Sequence, residues 1–193
     1  MKIIENNTKH EYMVINIPYV KKNLEHFRKA SELAFKRFKF SYGKNSTTAF
    51  YRYYNSVSLC VGSVHYYNLF KDLYKFIRKF SKNKKPLWCQ CWLNIHKEHE
   101  LLKWHNHPEC LYHGYISIDP KDTQTIFKNY IIKNKPGNIY IGPSGNYHKV
   151  KSNSSYRTPR ITLGFDVIDQ SALYKLYNKY GEVDINTGFL PVY

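Results

Sequence analysis

No apolar run in this 193-residue chain approaches the roughly 20 residues needed to span a bilayer, so the sequence holds no candidate transmembrane helix. The first residues, Met1 to Asn7, carry neither a sustained apolar segment nor a small-residue cleavage site, which argues against secretion. Cysteine is scarce: four in a chain of this length do not make a disulfide framework, and a reducing cytoplasm is the expected compartment. Internal repeats and low-complexity tracts are absent. So are a Gly-rich phosphate loop, a Ser-His-Asp arrangement and a Cys-nucleophile signature, which removes the commonest nucleotide-binding and acyl-transfer chemistries.

Acidic residues are also in short supply. Fourteen Asp and Glu face 30 Lys and Arg, giving a net charge of +16. Such a charge attracts nucleic acid, acidic proteins or anionic surfaces. Few arginines accompany the lysines, which weakens the case for reading base sequence. The plain alternative is lysine scattered over a solvated surface.

What the chain does have is aromatic area. Phe, Trp and Tyr make up 17% of it, with 19 tyrosines, enough to bury a sizeable core. One domain is expected, in three regions: residues 1–85, helices and strand packed on the core; 86–168, the core; and 169–193, a closing helix and packed tail.

Helices are read at 18–39 and over Leu69 to Phe80, where Leu69, Phe70, Leu73, Phe76, Ile77 and Phe80 form one stripe. Thr48 to Val64, rich in Tyr, Val and Ser, reads as one or two strands. Beyond Pro86 come short strands at Leu87 to Ile95, Tyr112 to Ile118, Asn138 to Ile141, Tyr147 to Val150 and Arg160 to Val167, with a short helix at Thr123 to Tyr130 and another at 170–180. Cys89 and Cys91 sit on one strand face as small hydrophobes. The fold class is mainly β with flanking helices, an antiparallel sandwich or barrel.

The chemistry concentrates between Trp104 and Asp166. His105 and His107 lie two apart, so on an extended strand both rings project from one face. His148 can close that face from a neighbouring strand, with Pro143 and Gly145 turning the chain before it. Three imidazoles leave positions open on a metal, an arrangement that suits Fe(II) and equally Zn(II), Ni(II) or Cu(II). His113 reads as a hydrogen-bonded core or pocket residue. Lys149, Lys151, Arg157 and Lys82 to Lys85 are placed around the pocket mouth.

The segment Trp92-Leu93-Asn94, His105-Asn106-His107-Pro108, Gly114-Tyr115-Ile116-Ser117, Pro136-Gly137, Pro143-Ser144, His148-Lys149-Val150 and Arg160-Ile161-Thr162 resembles the 2-oxoglutarate/Fe(II) oxygenases related to prolyl hydroxylases. The likeness covers residues 87 to 167. It implies a double-stranded β-helix (a jelly roll, cupin-like), with Fe(II) as metal, 2-oxoglutarate as co-substrate, ascorbate as reductant, and hydroxylation of a polypeptide side chain; the net charge of +16 adds a nucleic acid as the second substrate class. It implies His105 and His148 as iron ligands, Arg160 and Thr162 on the distal carboxylate of 2-oxoglutarate, Tyr115 as a further co-substrate contact and Asn94 on the pocket wall.

His107 departs from the wider superfamily, which places Asp or Glu there. Three answers stand: a three-histidine centre, Glu109 as the carboxylate if the strand runs on past Pro108, or a scaffold without the chemistry. Gly137 and Pro143-x-Gly145-x-x-His148 also fit the second cupin motif, so a three-histidine dioxygenase that does not use 2-oxoglutarate is the rival enzyme. A non-catalytic, basic nucleic-acid-binding protein is the rival without chemistry.

Overall fold

Alternation along four strands decides how the molecule is layered. In β3 (Leu87–His96), β4 (Tyr112–Asp119), β7 (Asn138–Pro143) and β9 (Arg160–Asp169), one set of alternate residues is mostly apolar and the other mostly polar or aromatic. Leu87, Cys89, Cys91, Leu93, Ile116, Ile118, Ile139, Ile141, Ile161, Leu163, Phe165 and Val167 all join one buried cluster with the helices. The opposite face carries Trp92, Asn94, His113, Tyr115, Thr162 and Asp166. Both sets are buried, so the sheet is a middle layer: helices cover one side and a second, smaller sheet faces the other.

The computed structural model describes residues 1–60, 62–100, 102–180 and 188–193. The large sheet has seven strands in the order β1-β2-β7-β4-β9-β3-β10, where β1 is Lys2–Asn7, β2 is Tyr12–Asn16 and β10 is Leu190–Pro191. The small sheet has the order β6-β5-β8, with β5 Thr123–Phe127, β6 Ile131–Lys133 and β8 His148–Ser152. All recorded strand pairings are antiparallel. The result is the expected double-stranded β-helix with flanking helices. Among the described residues, no helix is long and apolar enough to cross a membrane.

The helical layer is α1 (Pro18–Lys22), α2 (Leu24–Tyr42), α3 (Ser56–Cys60) and α4 (Val64–Ser81), with α5 (Gln170–Tyr180) after β9. The helix expected over 18–39 is two helices, broken at Asn23, whose φ of −118° leaves the helical range. The stripe expected on α4 is the buried one, with Leu69, Phe70, Leu73, Phe76 and Ile77 at most 3% exposed. Ser63 caps α4 by accepting from the Tyr66 N–H, and Lys82 ends it in the left-handed conformation.

Two expectations are corrected. Thr48 to Val64 holds no strand among its described residues but a 3-10 turn at Thr48–Tyr53, then α3 and the start of α4. Its side chains, with Thr47 just before it, do what a neighbouring strand would do for β3: the Leu93 N–H donates to the Tyr54 hydroxyl at 2.9 Å, Thr47 donates to the Leu93 carbonyl, and the Asn55 amide donates to the Cys89 carbonyl at 3.1 Å. Thr123 to Tyr130 is not a helix; Thr123, Thr125 and Phe127 alternate inward as β5. The β1–β2 hairpin was not anticipated at all. Of the expected tail, residues 181–187 lie outside the described residues, while Val192 is buried and its N–H donates to the Leu87 carbonyl at 2.9 Å.

Candidate metal centre and anion pocket

The polar face of the large sheet and the inner face of the small one enclose a cavity of about 320 Å³. Asn94, His105, His107, Tyr115, His148, Arg160 and Thr162, each singled out from the sequence, all line it.

His105 reaches the cavity through a single β-bridge to His148, with N–H to O distances of 3.0 and 2.9 Å in the two directions. The extended stretch is only that bridge long. The His107 N–H donates to the Ser144 carbonyl at 2.9 Å, and the Cys110 N–H then returns to the His107 carbonyl at 3.3 Å, turning the chain. The strand therefore does not continue past Pro108, the condition on which Glu109 would reach a metal. Glu109 is instead engaged by Lys179 of α5.

One ring nitrogen on each of His105, His107 and His148 lies within 4.8 Å of the others, a spacing that can hold a metal ion. Each ring is oriented by its other nitrogen. His105 Nδ1 meets the Lys103 carbonyl at 2.7 Å, His148 Nδ1 meets the Asn146 carbonyl at 3.0 Å, and His107 Nδ1 meets Asp166 Oδ2 at 3.1 Å. All three partners are acceptors, so each Nδ1 carries a proton, and Nε2 is the nitrogen each ring has left to offer a metal. His107 Nε2 is buried with no protein partner.

Burial lowers the His105 ring below its ordinary range. It lowers His148 much further, with His113 and His105 adding to the effect, and takes His113 down to about 4, with the His107 ring beside it as the next cause. These imidazoles are neutral near pH 7, the state a ligand needs.

Deeper in the cavity sits Arg160, 2% exposed. Its Nε and Nη1 are buried and meet no acceptor from the protein. Burial lowers it to about 10, which leaves it charged at neutral pH. Around it the Tyr115 and Ser117 hydroxyls and His96 Nδ1 are likewise buried without a partner. Register explains the grouping: His96 pairs with Arg160, Asn94 with Thr162, and Ser117 with Thr162 across the other edge of β9. Asn94 is already engaged by the protein, its Oδ1 accepting from Thr48 at 2.6 Å.

The wall towards β3 is Trp92, opposite Gly164 in register. A Cβ at Gly164 would overlap the indole, so the missing side chain is what lets Trp92 lie across β9. Tyr51 packs against Trp92 with 5.1 Å between centroids.

Two members of the site escaped the sequence reading in part or whole. Asp166, 3% exposed, had no assigned role, and His113 was placed only as a core or pocket residue. Parity was the available signal: residues 160, 162, 164 and 166 share one face of β9, as 113, 115 and 117 share one of β4. None of the lysines placed at the mouth lines the cavity. Alternation in β8 puts Lys149 and Lys151 on the outside of the small sheet, where the Lys149 ammonium lies 5.0 Å from the exposed Trp104 ring. Parity also separates His96 from Cys89 and Cys91, on opposite faces of β3.

No family model matches the chain, and no curated protein matches it. Solved structures do. The non-heme alpha-ketoglutarate-dependent carbocyclase SnoK from nogalamycin biosynthesis is similar with a TM-score of 0.61 and 8% identity, over 84% of this chain and 84% of that one. The non-heme alpha-ketoglutarate-dependent epimerase SnoN from the same biosynthesis gives 0.52 and 11%, over 85% and 78%. An oxidoreductase of the 2OG-Fe(II) oxygenase family from Burkholderia pseudomallei gives 0.41 and 11%, over 49% of this chain and 50% of that one, so this chain spans about half its length. At such identities the likeness to SnoK and SnoN establishes one thing, the fold that this chain shares with 2-oxoglutarate-dependent enzymes.

Proposed function

We propose that this chain is a 2-oxoglutarate- and Fe(II)-dependent oxygenase, acting as a hydroxylase on a polypeptide side chain or a nucleic acid. The observation that carries the reading is the pair of unmet demands in one cavity: an Nε2 of His107 with no partner, and a buried guanidinium with no anion. An uncompensated buried charge costs several kcal/mol and persists where a ligand completes it. A dicarboxylate lying between a metal and Arg160 meets both demands.

In this reading His105, His107 and His148 hold Fe(II) through Nε2. Arg160 takes the far carboxylate of 2-oxoglutarate, with Thr162 and the Tyr115 hydroxyl beside it. Trp92 and Tyr51 shield the cavity from water. Bound iron and co-substrate supply the oxidising chemistry, dioxygen and 2-oxoglutarate giving succinate, carbon dioxide and one oxygen atom inserted into a substrate C–H bond. The chain's own part is to orient the three rings, to hold His105 and His148 neutral by burial and to neutralise the carboxylate.

Support for the substrate class comes from the net charge of +16 and from the outer face of the small sheet. Trp104 and Tyr147 are exposed there, each with a lysine ammonium 5.0 Å from its ring, Lys149 and Lys128 respectively. Acidic peptides and oligonucleotides both suit such a surface.

The test is succinate release from 2-oxoglutarate with Fe(II) and ascorbate, against pools of acidic peptides and single-stranded oligonucleotides. Turnover that disappears in Arg160→Ala supports the reading. Oxygen consumption independent of 2-oxoglutarate would favour the three-histidine dioxygenase. No turnover, together with steeply salt-dependent nucleic-acid binding that His148→Ala leaves unchanged, would favour the non-catalytic protein.

A further inference from the structure

The same sheet face holds a carboxylate for which the three-histidine reading has no use. Asp166 is 3% exposed, and both of its oxygens are taken by imidazoles: Oδ2 by His107 Nδ1 at 3.1 Å and Oδ1 by His113 Nδ1 at 2.8 Å. His113 sits directly opposite Asp166 in the β4–β9 register. Its ring lies flat on that of His107, with 3.7 Å between centroids and 9° between planes.

These contacts restrict one another. An ionised carboxylate only accepts, so each Nδ1 facing it carries a proton. His107 is thereby tied through Nδ1, which leaves Nε2, the atom buried without a partner, as the nitrogen it can give a metal. His113 occupies the second oxygen, which keeps the carboxylate from turning toward the metal site, and its stacked ring fixes the plane of His107.

We propose that Asp166 is the positioning residue that makes His107 a metal ligand, with His113 as its brace. The negative charge that a direct Asp or Glu ligand would bring is supplied here from one imidazole further out. This rests on the reading that His105, His107 and His148 hold a metal. It accounts for how a centre with His in place of a carboxylate keeps its charge, and it makes positions 107 and 166 a matched pair.

The experiment is titration with Co(II), read by its visible d–d absorption, on the full chain and on Asp166→Asn, His107→Asp and the double variant, each with a thermal melt of the metal-free protein. An Asn amide donates as well as accepts, so it disturbs the proton positions of the two rings. The expectation for Asp166→Asn is Co(II) affinity weakened about 10- to 100-fold with an altered spectrum, measured well below the melt of a metal-free protein that unfolds a few degrees lower than wild type but still cooperatively. His107→Asp alone sets two carboxylates face to face and binds more weakly than His107→Asp with Asp166→Asn, where the charge has moved to the inner position. Wild-type affinity and spectrum in Asp166→Asn would overturn the proposal while leaving the metal reading intact. A wild-type protein that takes up no Co(II) would end both.

Discussion

Replacing Arg160 by Met should make the metal-free protein more stable and its co-substrate site useless. Arg160 is 2% exposed, and two of its nitrogens, Nε and Nη1, meet no protein acceptor. Each buried polar group left without a partner costs about 1–3 kcal/mol, and even a buried ion pair, whose charges do have partners, can be replaced by apolar residues of similar volume with a gain of about 1–4 kcal/mol. Some of that gain is lost because Met fills the guanidinium's space imperfectly, so a net gain of about 1–3 kcal/mol is expected. For a chain of this size that corresponds to a rise in Tm of roughly 2–12 °C. The assay is thermal and urea unfolding in a buffer free of carboxylates and phosphate, with and without 2-oxoglutarate. Wild type gains stability with ligand, about 2.7 kcal/mol at a hundredfold excess over Kd; Arg160→Met gains none. An Arg160→Met protein that is less stable than wild type without ligand, or that 2-oxoglutarate still stabilises, would refute the argument that Arg160 is a charge awaiting an anion.

Other consequences can be checked more briefly. Burial holds His96 and His113 at about 4 against an ordinary value near 6.5, so unfolding takes up a proton at each between those limits. Stability of the metal-free protein should therefore be level between about pH 7 and 8 and fall by up to about 1.4 kcal/mol per pH unit for each histidine as pH drops from 6.5 to 4; urea unfolding at half-unit steps reads this, and a profile flat from pH 7 to 4 contradicts it. For Asp166, burial raises the carboxyl but the facing His107 and His113 rings outweigh it and hold it below the ordinary carboxylate range, so its contribution is lost only below about pH 4. Gly164→Ala should cost about 1–3 kcal/mol and shift tryptophan fluorescence, since its methyl displaces the Trp92 ring; an unshifted spectrum would mean Trp92 is not held there. Arg28 of α2 binds Asp119 at the end of β4 and also reaches the Pro159 carbonyl at 3.4 Å, so Arg28→Ala should lower unfolding stability by about 2 kcal/mol, with Lys121 still engaging Asp119 at 2.8 Å.

Legibility from sequence followed burial pattern. The central strands β3, β4, β7 and β9 were readable because Pro, Gly and Asn punctuate long runs of β-branched and aromatic residues, and α4 because its stripe repeats at helical spacing. Two segments misled for opposite reasons. Tyr and Val in Thr48 to Val64 suggested strand, yet Tyr54 and Thr47 serve as partners for the open edge of β3, a tertiary role that propensity cannot report. In β5 the inward set is Thr123, Thr125 and Phe127, and threonine counted as polar hides the two-residue period. β2 is buried on both faces, so Tyr12 to Ile15 shows no alternation at all. At the site, residue spacing suggested which imidazoles converge but not what stands behind them. Asp166 reaches His107 across 59 positions of sequence, a contact visible only once β4 and β9 are paired.

The central claim is that the imidazoles of 105, 107 and 148 share one cation beside the guanidinium of 160. Anaerobic titration with Fe(II) and 2-oxoglutarate, followed by the visible charge-transfer band of a 2-oxo acid chelating ferrous iron, tests it most directly. The account predicts one equivalent of iron, a band absent in His148→Ala, and a band that forms in Arg160→Met only at far higher 2-oxoglutarate. No iron uptake by wild type, or a band indifferent to both replacements, would contradict it.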